Sequence, residues 1–241
     1  MKLYYDFHIH SCLSPCGDDD MTPHNLVNMA NLLGLQAIAL TDHNTCANCA
    51  AAAAAAQKAG LLFLPGMELC TVEEAHVVCL FPTVEAALAF ETALLPSFTF
   101  VANRPQIFGE QWLYNADDEI IGTEKRLLTV ASTVSVDSVD AMVRAFGGAA
   151  FPAHIDRPSY SITAALGDIP PLGFGAAEIT AAGNREELKT RYPLLNRMVL
   201  LQNSDAHCLE AIQEPSECLE VSAHSPAAVI AAINQLQEKT G

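Results

Sequence analysis

The sequence predicts an α/β barrel, and three observations support this fold class. Strand-like and helix-like segments alternate through the amino-terminal third with short links, which is the pattern of parallel strands covered by helices. Polar strings adjoin the hydrophobic runs, as expected of loops at the carboxyl ends of barrel strands. The chain has 241 residues, of which 51% are hydrophobic and 17% charged, so we expect one well-packed domain over residues 1–241.

The first elements follow from periodicity and boundary residues. A strand is predicted over KLYYDFHI and a helix over PHNLVNMANLL, with Thr22 as N-cap, Pro23 in the first turn and Gly34 just past the end. A strand over LQAIAL follows. An alanine-rich helix is expected over residues 45–58, because alanine is the best helix former and Gly60 stops it. LLFLPG is the third predicted strand.

The middle of the chain has a different pattern. FGEQWLYNADDEIIGTEKRLL has two strand-like arms around a turn rich in Asp and Asn, which predicts a β-hairpin insertion at about residues 105–128. We expect this hairpin to form a flap or an edge beside the functional site. A helix over residues 137–146, strands in GGAAFPAH, AAEIT and MVLLQNSDAH, and a last helix over residues 226–237 complete the predicted order.

Charge and cysteine content restrict the partners and the compartment. The net charge of −16 would repel a phosphate backbone, so we expect small-molecule substrates and no nucleic acid. No charged segment followed by an apolar stretch opens the chain, and no apolar run is long enough to span a bilayer. These patterns predict a cytoplasmic protein without membrane contact, in which the eight cysteines are reduced thiols.

Six of the eight histidines lie in five short polar strings: DFHIHS (6–11), TDHN (41–44), AHVV (75–78), AHID (153–156) and NSDAH (203–207). Repeated His and Asp beside strand-like runs indicate one convergent site. Side chains two apart in a strand point the same way, so Asp6, His8 and His10 are expected to share a face, as are Asp205 and His207. Imidazoles with carboxylates favour a divalent ion such as Zn, Fe or Mn.

Taken in order, DFHIHS, TDHN, GMEL, two AH strings and SDAH resemble the polymerase and histidinol phosphatase (PHP) family over nearly the whole chain. The resemblance implies a distorted (β/α)7 TIM-like barrel with two or three divalent ions at the carboxyl ends of its strands. It also implies that Asp6 and Asp42 orient imidazoles rather than bind metal. The implied ligands are His8, His10, Glu68 and Asp205 for the first ion, Glu68, His76 and His154 for the second, and His43 and His207 for the third.

The third ion requires one more ligand from the loop after His10. Many family members place it five residues after that histidine, where this chain has Pro15. Three acids follow at residues 18–20, in a turn that also suits the amino end of the next helix as a solvated surface. We favour Asp20, because the helix cap that follows it fixes its backbone, with Asp18 as the alternative.

The ligand set predicts a metal-dependent phosphoesterase that hydrolyses a small phosphorylated metabolite or nucleotide. Glu68 would bridge two ions, metal-bound hydroxide would attack phosphorus, and His154 or His207 would assist proton transfer. The sequence contains no GxSxG string that would mark a serine nucleophile. Arg157, in HIDRPS, would either grip the substrate phosphate through its guanidinium or form a salt bridge inside its loop.

Other interpretations remain open on the sequence alone. The same metals could hydrolyse a C–N bond, or the chain could be a non-catalytic metal-binding module; an exonuclease conflicts with the net charge of −16. Cys46 and Cys49 form a CxxC near Cys12 and Cys16. These cysteines would form a thiolate metal site or redox pair, or would be small thiols buried in the core.

Overall fold

The computed structural model describes residues 1–236, which form a mixed α/β fold. The strands in this range are β1 (Lys2–Ile9), β2 (Ala37–Leu40), β3 (Leu62–Cys70), β4 (His76–Leu80), β5 (Trp112–Tyr114), β6 (Ile120–Thr123), β7 (Ala149–Pro152), β8 (Ala176–Ile179), β9 (Val199–Gln202) and β10 (Cys218–Glu220). The α-helices are α1 (Pro23–Leu32), α2 (Cys49–Ala59), α3 (Val84–Leu94), α4 (Pro105–Phe108), α5 (Val136–Ala145), α6 (Ile162–Leu166), α7 (Arg185–Arg191) and α8 (Pro226–Asn234). Short 3-10 helices cover Leu95–Ser97, Pro193–Arg197 and Leu209–Ala211.

A curled six-stranded sheet in the order β10-β1-β2-β3-β4-β7 forms the centre of the fold. Strands β8 and β9 form a separate parallel pair, and β5 and β6 form the hairpin. Two backbone hydrogen bonds join the β8–β9 side to the main sheet. The His10 N–H donates to the Ala206 carbonyl at 3.0 Å, and the Ile155 N–H donates to the Glu178 carbonyl at 2.9 Å. The ends of β1, β7, β8 and β9 therefore meet at one rim.

The sheet is mixed, whereas the sequence pattern predicted parallel strands. Strands β1, β2 and β3 are parallel, but β4 is antiparallel to both β3 and β7. Only five residues separate Cys70 from His76, and a parallel connection needs a crossover of about a dozen residues or more. His76 consequently lies at the amino end of its strand. Because β4 runs in the opposite direction, that end still lies on the rim where β3 ends.

The second helix begins later than the alanine-rich run predicted. The Thr45 hydroxyl donates to a Glu91 carboxylate oxygen at 2.7 Å, and the Cys46 N–H donates to the other oxygen at 2.9 Å. These bonds hold the preceding loop in a non-helical conformation, so α2 starts at Cys49. Gly60 ends the helix in the left-handed conformation with φ 73°, as its position indicated.

Several other predicted elements are confirmed. Thr22 caps α1 by accepting the Asn25 N–H at 3.2 Å, and Gly34 follows the helix with φ 83°. The insertion forms the antiparallel hairpin β5–β6. Helix α8 ends at Asn234, and the predicted end at residue 237 lies outside the described residues. Helix α3 and strand β10 were not predicted from the sequence.

Two hydrophobic clusters pack against the two faces of the curled sheet. The first fills the space between the inner face of the curled sheet and α8, and it includes Phe7, Leu64, Phe151 and Ile233, all fully buried. The second packs α1, α2, α3 and α5 against the outer face of the sheet. No helix within residues 1–236 has both the length and the apolar character needed to cross a membrane.

Candidate metal centre

The rim of the sheet brings together six histidines and two carboxylates from strings that are far apart in the sequence. Six segments contribute to the cluster: the end of β1, the loop after β2, strand β3, the start of β4, the loop after β7 and the loop after β9. In that order the side chains are His8 and His10, His43, Glu68, His76, His154, and Asp205 with His207. The imidazole rings pack closely: His10 and His207 are stacked, with their ring centroids 4.2 Å apart.

Glu68 lies at the centre of this cluster and is 1% exposed. Its nearest imidazole nitrogens are His76 Nδ1 at 2.9 Å, His43 Nδ1 at 2.9 Å, His154 Nε2 at 3.2 Å, His8 Nε2 at 3.3 Å and His10 Nε2 at 3.5 Å. Burial alone would raise the pKa of Glu68, but the surrounding imidazoles outweigh it and hold that pKa well below its usual value. The carboxylate is therefore ionised, with both oxygens directed at potential metal ligands.

Hydrogen bonds fix the ring orientation of His8. Its Nδ1 lies 2.9 Å and 3.1 Å from the two carboxylate oxygens of Glu178, which is 2% exposed. A carboxylate only accepts hydrogen bonds, so we place the proton on Nδ1. The lone pair of the neutral ring then lies on Nε2, which faces the cluster.

His10 is oriented by two polar side chains in series, Ser14 and Asp42. The Ser14 hydroxyl donates its single hydrogen to Asp42 at 2.7 Å, so it can only accept from His10 Nδ1, which lies at 3.0 Å. The Nε2 lone pair of His10 therefore also faces the cluster. Asp42 additionally accepts from the backbone N–H and the hydroxyl of Ser11, both at 2.7 Å. Asp42 thus acts on His10 through Ser14.

Several acceptors therefore converge on one point between His8, His10 and Asp205. The two Nε2 atoms are 3.2 Å apart, and Asp205 Oδ1 lies 3.3 Å and 3.2 Å from them. This buried oxygen has no conventional hydrogen-bond partner within residues 1–236. Lone pairs directed at one another in a buried site are costly unless a cation neutralises them. These residues fit a divalent ion.

The pKa values of the two rings indicate how the site is satisfied without a metal ion. Burial lowers the pKa of His8, but Glu178, Asp205 and Glu68 outweigh this effect and raise it well above its usual value. Burial, His207 and His43 hold the pKa of His10 well below its usual value. In the metal-free protein a proton on His8 would therefore occupy the gap. A bound ion would displace that proton, since ligands must be deprotonated to bind metal.

Three sets of potential ligand atoms are compact enough to hold an ion, with all atoms of a set within 4.8 Å of one another. The sets are His8, His10 and Glu68; His43, Glu68 and His76; and His10, His43 and His207. Glu68 belongs to two of them, which matches the bridging position that the family resemblance implied. His154 and Asp205 adjoin these sets through their contacts with Glu68 and His8. The rim can therefore hold metal ions.

The structure does not bring Asp20 to the third set. Its side chain is exposed, and its backbone carbonyl accepts from the Asn25 side chain at 2.9 Å. None of the compact sets in residues 1–236 includes Asp20. Cys16, in the same loop, is exposed as well and also belongs to none of these sets. Burial raises the pKa of Cys16, but the nearby imidazoles of His207 and His43 outweigh it and lower that pKa to about 7.

Asp6 does not share a face with the two histidines of its string, contrary to the period-two prediction. The pairing of β1 with β2 shifts register between Asp6 and Ile9, and such a bulge breaks the alternation of side chains. Asp6 Oδ1 accepts the backbone N–H of Ser204 at 3.2 Å and of His8 at 3.3 Å. Asp6 therefore fixes backbone segments and has no contact with an imidazole ring in the hydrogen bonds of residues 1–236.

Sequence reasoning missed Glu178, although it connects three parts of the site. Its carboxylate accepts from His8 Nδ1, from the His154 backbone N–H at 2.9 Å, and from Asn203 Nδ2 at 2.7 Å. The available signal was its position in AAEI, where one charged residue interrupts a short apolar strand. A carboxylate in a fully buried strand requires polar partners, which here are His8, the His154 backbone and Asn203.

Arg157 lies at the opening of the site. Its NH1 group is 2.7 Å from Asp205 Oδ2, and its side chain is 44% exposed. The salt bridge expected as one alternative is therefore present, and it involves a candidate metal ligand. Arg157 also lines a cavity of about 230 Å³, together with Glu68, Tyr160 and four of the clustered histidines. A second cleft of about 650 Å³ adjoins the other side of Arg157.

The hairpin insertion is attached beside the metal centre. The side-chain amide of Asn44 donates to the carbonyls of Leu128 and Val130, at 2.6 Å and 3.0 Å, which fixes the base of the insertion to the His43 loop. Thr129, the first residue after the predicted insertion, lines the cavity. The segment that leaves the insertion therefore lies at the edge of the site, and the role of the hairpin itself stays a prediction.

The CxxC pair is part of the core. Cys46 and Cys49 are each 1% exposed, and the Cys49 thiol donates to the Leu40 and Gly66 carbonyls. Burial, and the neighbouring Cys49, raise the pKa of Cys46 well above its usual value. Neither cysteine belongs to a compact ligand set within residues 1–236. These observations favour two small buried thiols over a metal site.

Solved structures with the same fold have different activities. Endonuclease Q, a lesion-specific endonuclease from Pyrococcus furiosus, superposes with a TM-score of 0.66 and 19% identity over 97% of this chain. This chain spans 56% of the length of that enzyme. A candidate metal-dependent phosphoesterase from Bifidobacterium adolescentis gives a TM-score of 0.58 at 21% identity, over 84% of this chain and 87% of that one. These identities establish the fold alone.

An amidohydrolase from Chromobacterium violaceum, solved with bound sulfate and no metal, gives a TM-score of 0.57 at 16% identity, over 92% of this chain and 93% of that one. No curated protein sequence matches the chain significantly. The model of the PHP domain family matches residues 6–145, more than half of the chain and the part that contains four of the six clustered histidines and Glu68. The chain therefore belongs to the PHP domain family.

Proposed function

We propose that the protein is a metal-dependent phosphoesterase that hydrolyses a small phosphorylated metabolite or nucleotide. The observation that carries the proposal is the convergence of potential ligand atoms from His8, His10 and Asp205 around Glu68, beside a cavity lined by Arg157. Six imidazoles with two carboxylates suit two or three ions such as Zn, Fe or Mn. Divalent ions bound there would polarise a phosphoryl group and lower the pKa of a water molecule.

The residues of the chain would hold the substrate and move protons. Glu68 and Asp205 supply the negative charge that balances the ions, and Arg157 presents the remaining guanidinium donors to phosphoryl oxygens. His154 and His207 both line the cavity. One of these two histidines would exchange a proton with the substrate.

The size of the cavity and the net charge favour a small substrate. A volume of about 230 Å³ accommodates a phosphate group with a small organic portion, and the adjoining cleft could receive a larger leaving group. Endonuclease Q acts on DNA containing an abasic lesion, so cleavage of DNA is the second candidate function. The net charge of −16 opposes binding to a phosphate backbone and makes this candidate weaker.

One substrate panel tests these alternatives. Purified protein, loaded separately with Zn²⁺, Mn²⁺ or Fe²⁺, is assayed on phosphomonoesters, nucleotides, small amides and a duplex with an abasic site. We expect release of phosphate from a small ester that stops when a chelator removes the metal. Release of amine alone would identify a C–N hydrolase, strand scission alone would identify a nuclease, and inactivity on every substrate would favour a non-catalytic module.

Arg157→Ala tests how the substrate is held. Loss of a charge-assisted contact with phosphate should raise the Michaelis constant by about tenfold, equivalent to about 1.4 kcal/mol, with a smaller effect on kcat. The measurement is steady-state kinetics on the best phosphomonoester, with Arg144→Ala as the control because Arg144 pairs with Asp140 on α5. Unchanged kinetics with a lowered melting temperature would show that Arg157 only stabilises Asp205.

We also infer that residues 1–236 form one domain built as a distorted seven-stranded barrel. The ring would comprise β1, β2, β3, β4, β7, β8 and β9. The hydrogen bonds from His10 to Ala206 and from Ile155 to Glu178 support this closure, because they join the parallel pair to both sides of the main sheet.

A further inference from the structure

The loop between β7 and α6 holds Tyr160 in a fixed position beside the site. The Tyr160 carbonyl accepts the backbone N–H of His76 at 2.9 Å. The hydroxyl of the next residue, Ser161, donates to the Arg157 carbonyl at 2.7 Å and accepts the Ala164 N–H at 3.1 Å, where α6 begins. The loop is therefore tied to β4 on one side and to α6 on the other.

The backbone of Tyr160 does not require a tyrosine. Its φ angle is 55°, in the left-handed region that bulky side chains rarely adopt and that glycine adopts without strain. Strained conformations of this kind cluster at functional sites, where the surrounding contacts maintain them. The aromatic side chain at this position therefore has to be explained by what its ring contacts.

The ring of Tyr160 lies at the candidate metal centre. It stacks on the imidazole of His76, with the ring centroids 4.9 Å apart and the planes inclined by 29°. Tyr160 is nevertheless 53% exposed, and it lines the cavity of about 230 Å³. The contact with His76 thus fixes the ring and leaves part of its surface free for a ligand.

The composition of the cavity gives this surface a specific role. Of the nine lining residues, Tyr160 is the one with a hydrophobic aromatic ring in the part of the chain that the structure describes; the others are His43, Glu68, His76, Thr129, His154, Arg157, Asp205 and His207. The candidate metal ligands and Arg157 suit a phosphoryl group. Tyr160 is left for the organic portion of the substrate, and an aromatic ring favours stacking with another planar ring.

The larger adjoining cleft suits a planar ring less well. Tyr192 is the aromatic residue that lines it, and Tyr192 is only 5% exposed. The guanidinium of Arg191 also lies over its ring, 5.3 Å from the centroid. Among residues 1–236, the open aromatic surface next to the metal centre is therefore the one that Tyr160 provides.

We propose that Tyr160 determines substrate specificity by stacking on a planar aromatic group of the substrate, so that aromatic phosphoesters are preferred over saturated ones of the same size. This inference rests on the proposed function and names the class of substrate for that site. An aryl ring and a nucleobase share the required chemistry.

Binding of two phosphonates tests the inference without catalysis. Benzylphosphonate and (cyclohexylmethyl)phosphonate have the same number of carbon atoms and differ in the planarity and π-system of the ring. Calorimetry on the metal-loaded protein should show that the benzyl compound binds about three- to tenfold more tightly, the range typical of aromatic pairs beyond their buried area. Both ligands would contact the metal through the same phosphonate, so their affinity ratio reports on the ring alone.

Three variants sharpen this measurement. Tyr160→Gly removes the ring and relieves the left-handed backbone, and its affinity ratio should fall to about one. Tyr160→Phe retains the ring and should retain the ratio. Tyr4→Ala is the matched control, because Tyr4 is 39% exposed and does not line the cavity, and it should also retain the ratio. Thermal melting checks that each variant is folded.

Steady-state kinetics then distinguishes the two sources of a planar ring. Benzyl phosphate is compared with cyclohexylmethyl phosphate, and adenosine 5′-phosphate with ribose 5-phosphate, in the wild-type protein and in Tyr160→Gly. A preference that depends on Tyr160 in the first pair alone would identify an aryl ester. A preference that depends on Tyr160 in the second pair would identify a nucleobase.

The possible results separate this inference from the proposed function. A phosphonate ratio near one in the wild-type protein, or a ratio that persists in Tyr160→Gly, would overturn the role of Tyr160. A ratio lost in Leu188→Ala but kept in Tyr160→Gly would place the organic portion in the larger cleft, which Leu188 lines, and would also overturn it. Phosphate release in those cases would leave the proposed function standing. A Tyr160-dependent phosphonate ratio in a protein that releases no phosphate would contradict the proposed function and retain the aromatic ligand class.

Discussion

Glu68→Gln is expected to abolish hydrolysis, lowering kcat/KM by about 10³-fold or more, equivalent to about 4 kcal/mol of transition-state stabilisation. The carboxylate is 1% exposed and has five imidazole nitrogens within 3.5 Å, so its negative charge interacts with all five rings. An amide of the same shape has no negative charge. Its NH2 group would also face ring nitrogens that must present lone pairs to a metal.

The same variant should lose metal. We expect two or three ions per chain in the wild-type protein by elemental analysis, and at least one fewer in Glu68→Gln under equal metal loading. Glu85→Gln, an exposed change in the first turn of α3, is the matched control and should match the wild-type protein in both measurements. If Glu68→Gln kept near wild-type turnover and full metal content, Glu68 would not bridge two ions.

The convergence of the residues in the candidate metal centre was largely predictable because they lie in short ordered strings. His8 and His10 at the end of β1, and Glu68 in β3, are brought to one rim since parallel strands end at the same edge of a sheet. The alternation of strand and helix in the amino-terminal third was predictable for the same reason. Periodicity and capping residues are local, and local signals determine these elements.

The direction of β4 and the position of Asp6 required information that periodicity lacks. A strand has the same alternation in either direction, and only the short connection before His76 indicated an antiparallel turn. The bulge in β1 moves the following histidines out of the period-two pattern that Asp6 would otherwise share. Both differences arise from pairing with other strands, which the sequence of one segment does not specify.

The loop containing Cys16 shows the limit of counting along a motif. Five residues after His10 is Pro15, and a fixed offset therefore directed attention to the acids beyond it. The chain instead makes two tight turns after His10, and the side chain of Asp20 is left exposed. Only the three-dimensional path of the loop shows which of its residues face the candidate metal centre.

Glu178 is the residue whose role depends most on tertiary contacts, since 170 positions separate it from His8. Its carboxylate holds the His8 ring with Nε2 facing the cluster, and it also accepts from the His154 N–H and the Asn203 side chain. Glu178→Gln keeps the size of the side chain but adds an NH2 group. Because all three neighbours donate hydrogen bonds, that group would face at least one donor and would leave it unpaired in a buried site.

We therefore expect Glu178→Gln to lower metal affinity and kcat/KM by about 10- to 100-fold, the range typical of losing a carboxylate that orients a metal-bound histidine. Competition with a chromophoric chelator measures the affinity, and steady-state kinetics measures the activity. Glu186→Gln, whose side chain is 87% exposed on α7, is the matched control and should leave both unchanged. Excess metal should restore part of the activity of Glu178→Gln, because the variant retains every ligand and loses only their orientation. Wild-type affinity in Glu178→Gln would mean that the packing of β1 alone holds His8 in place.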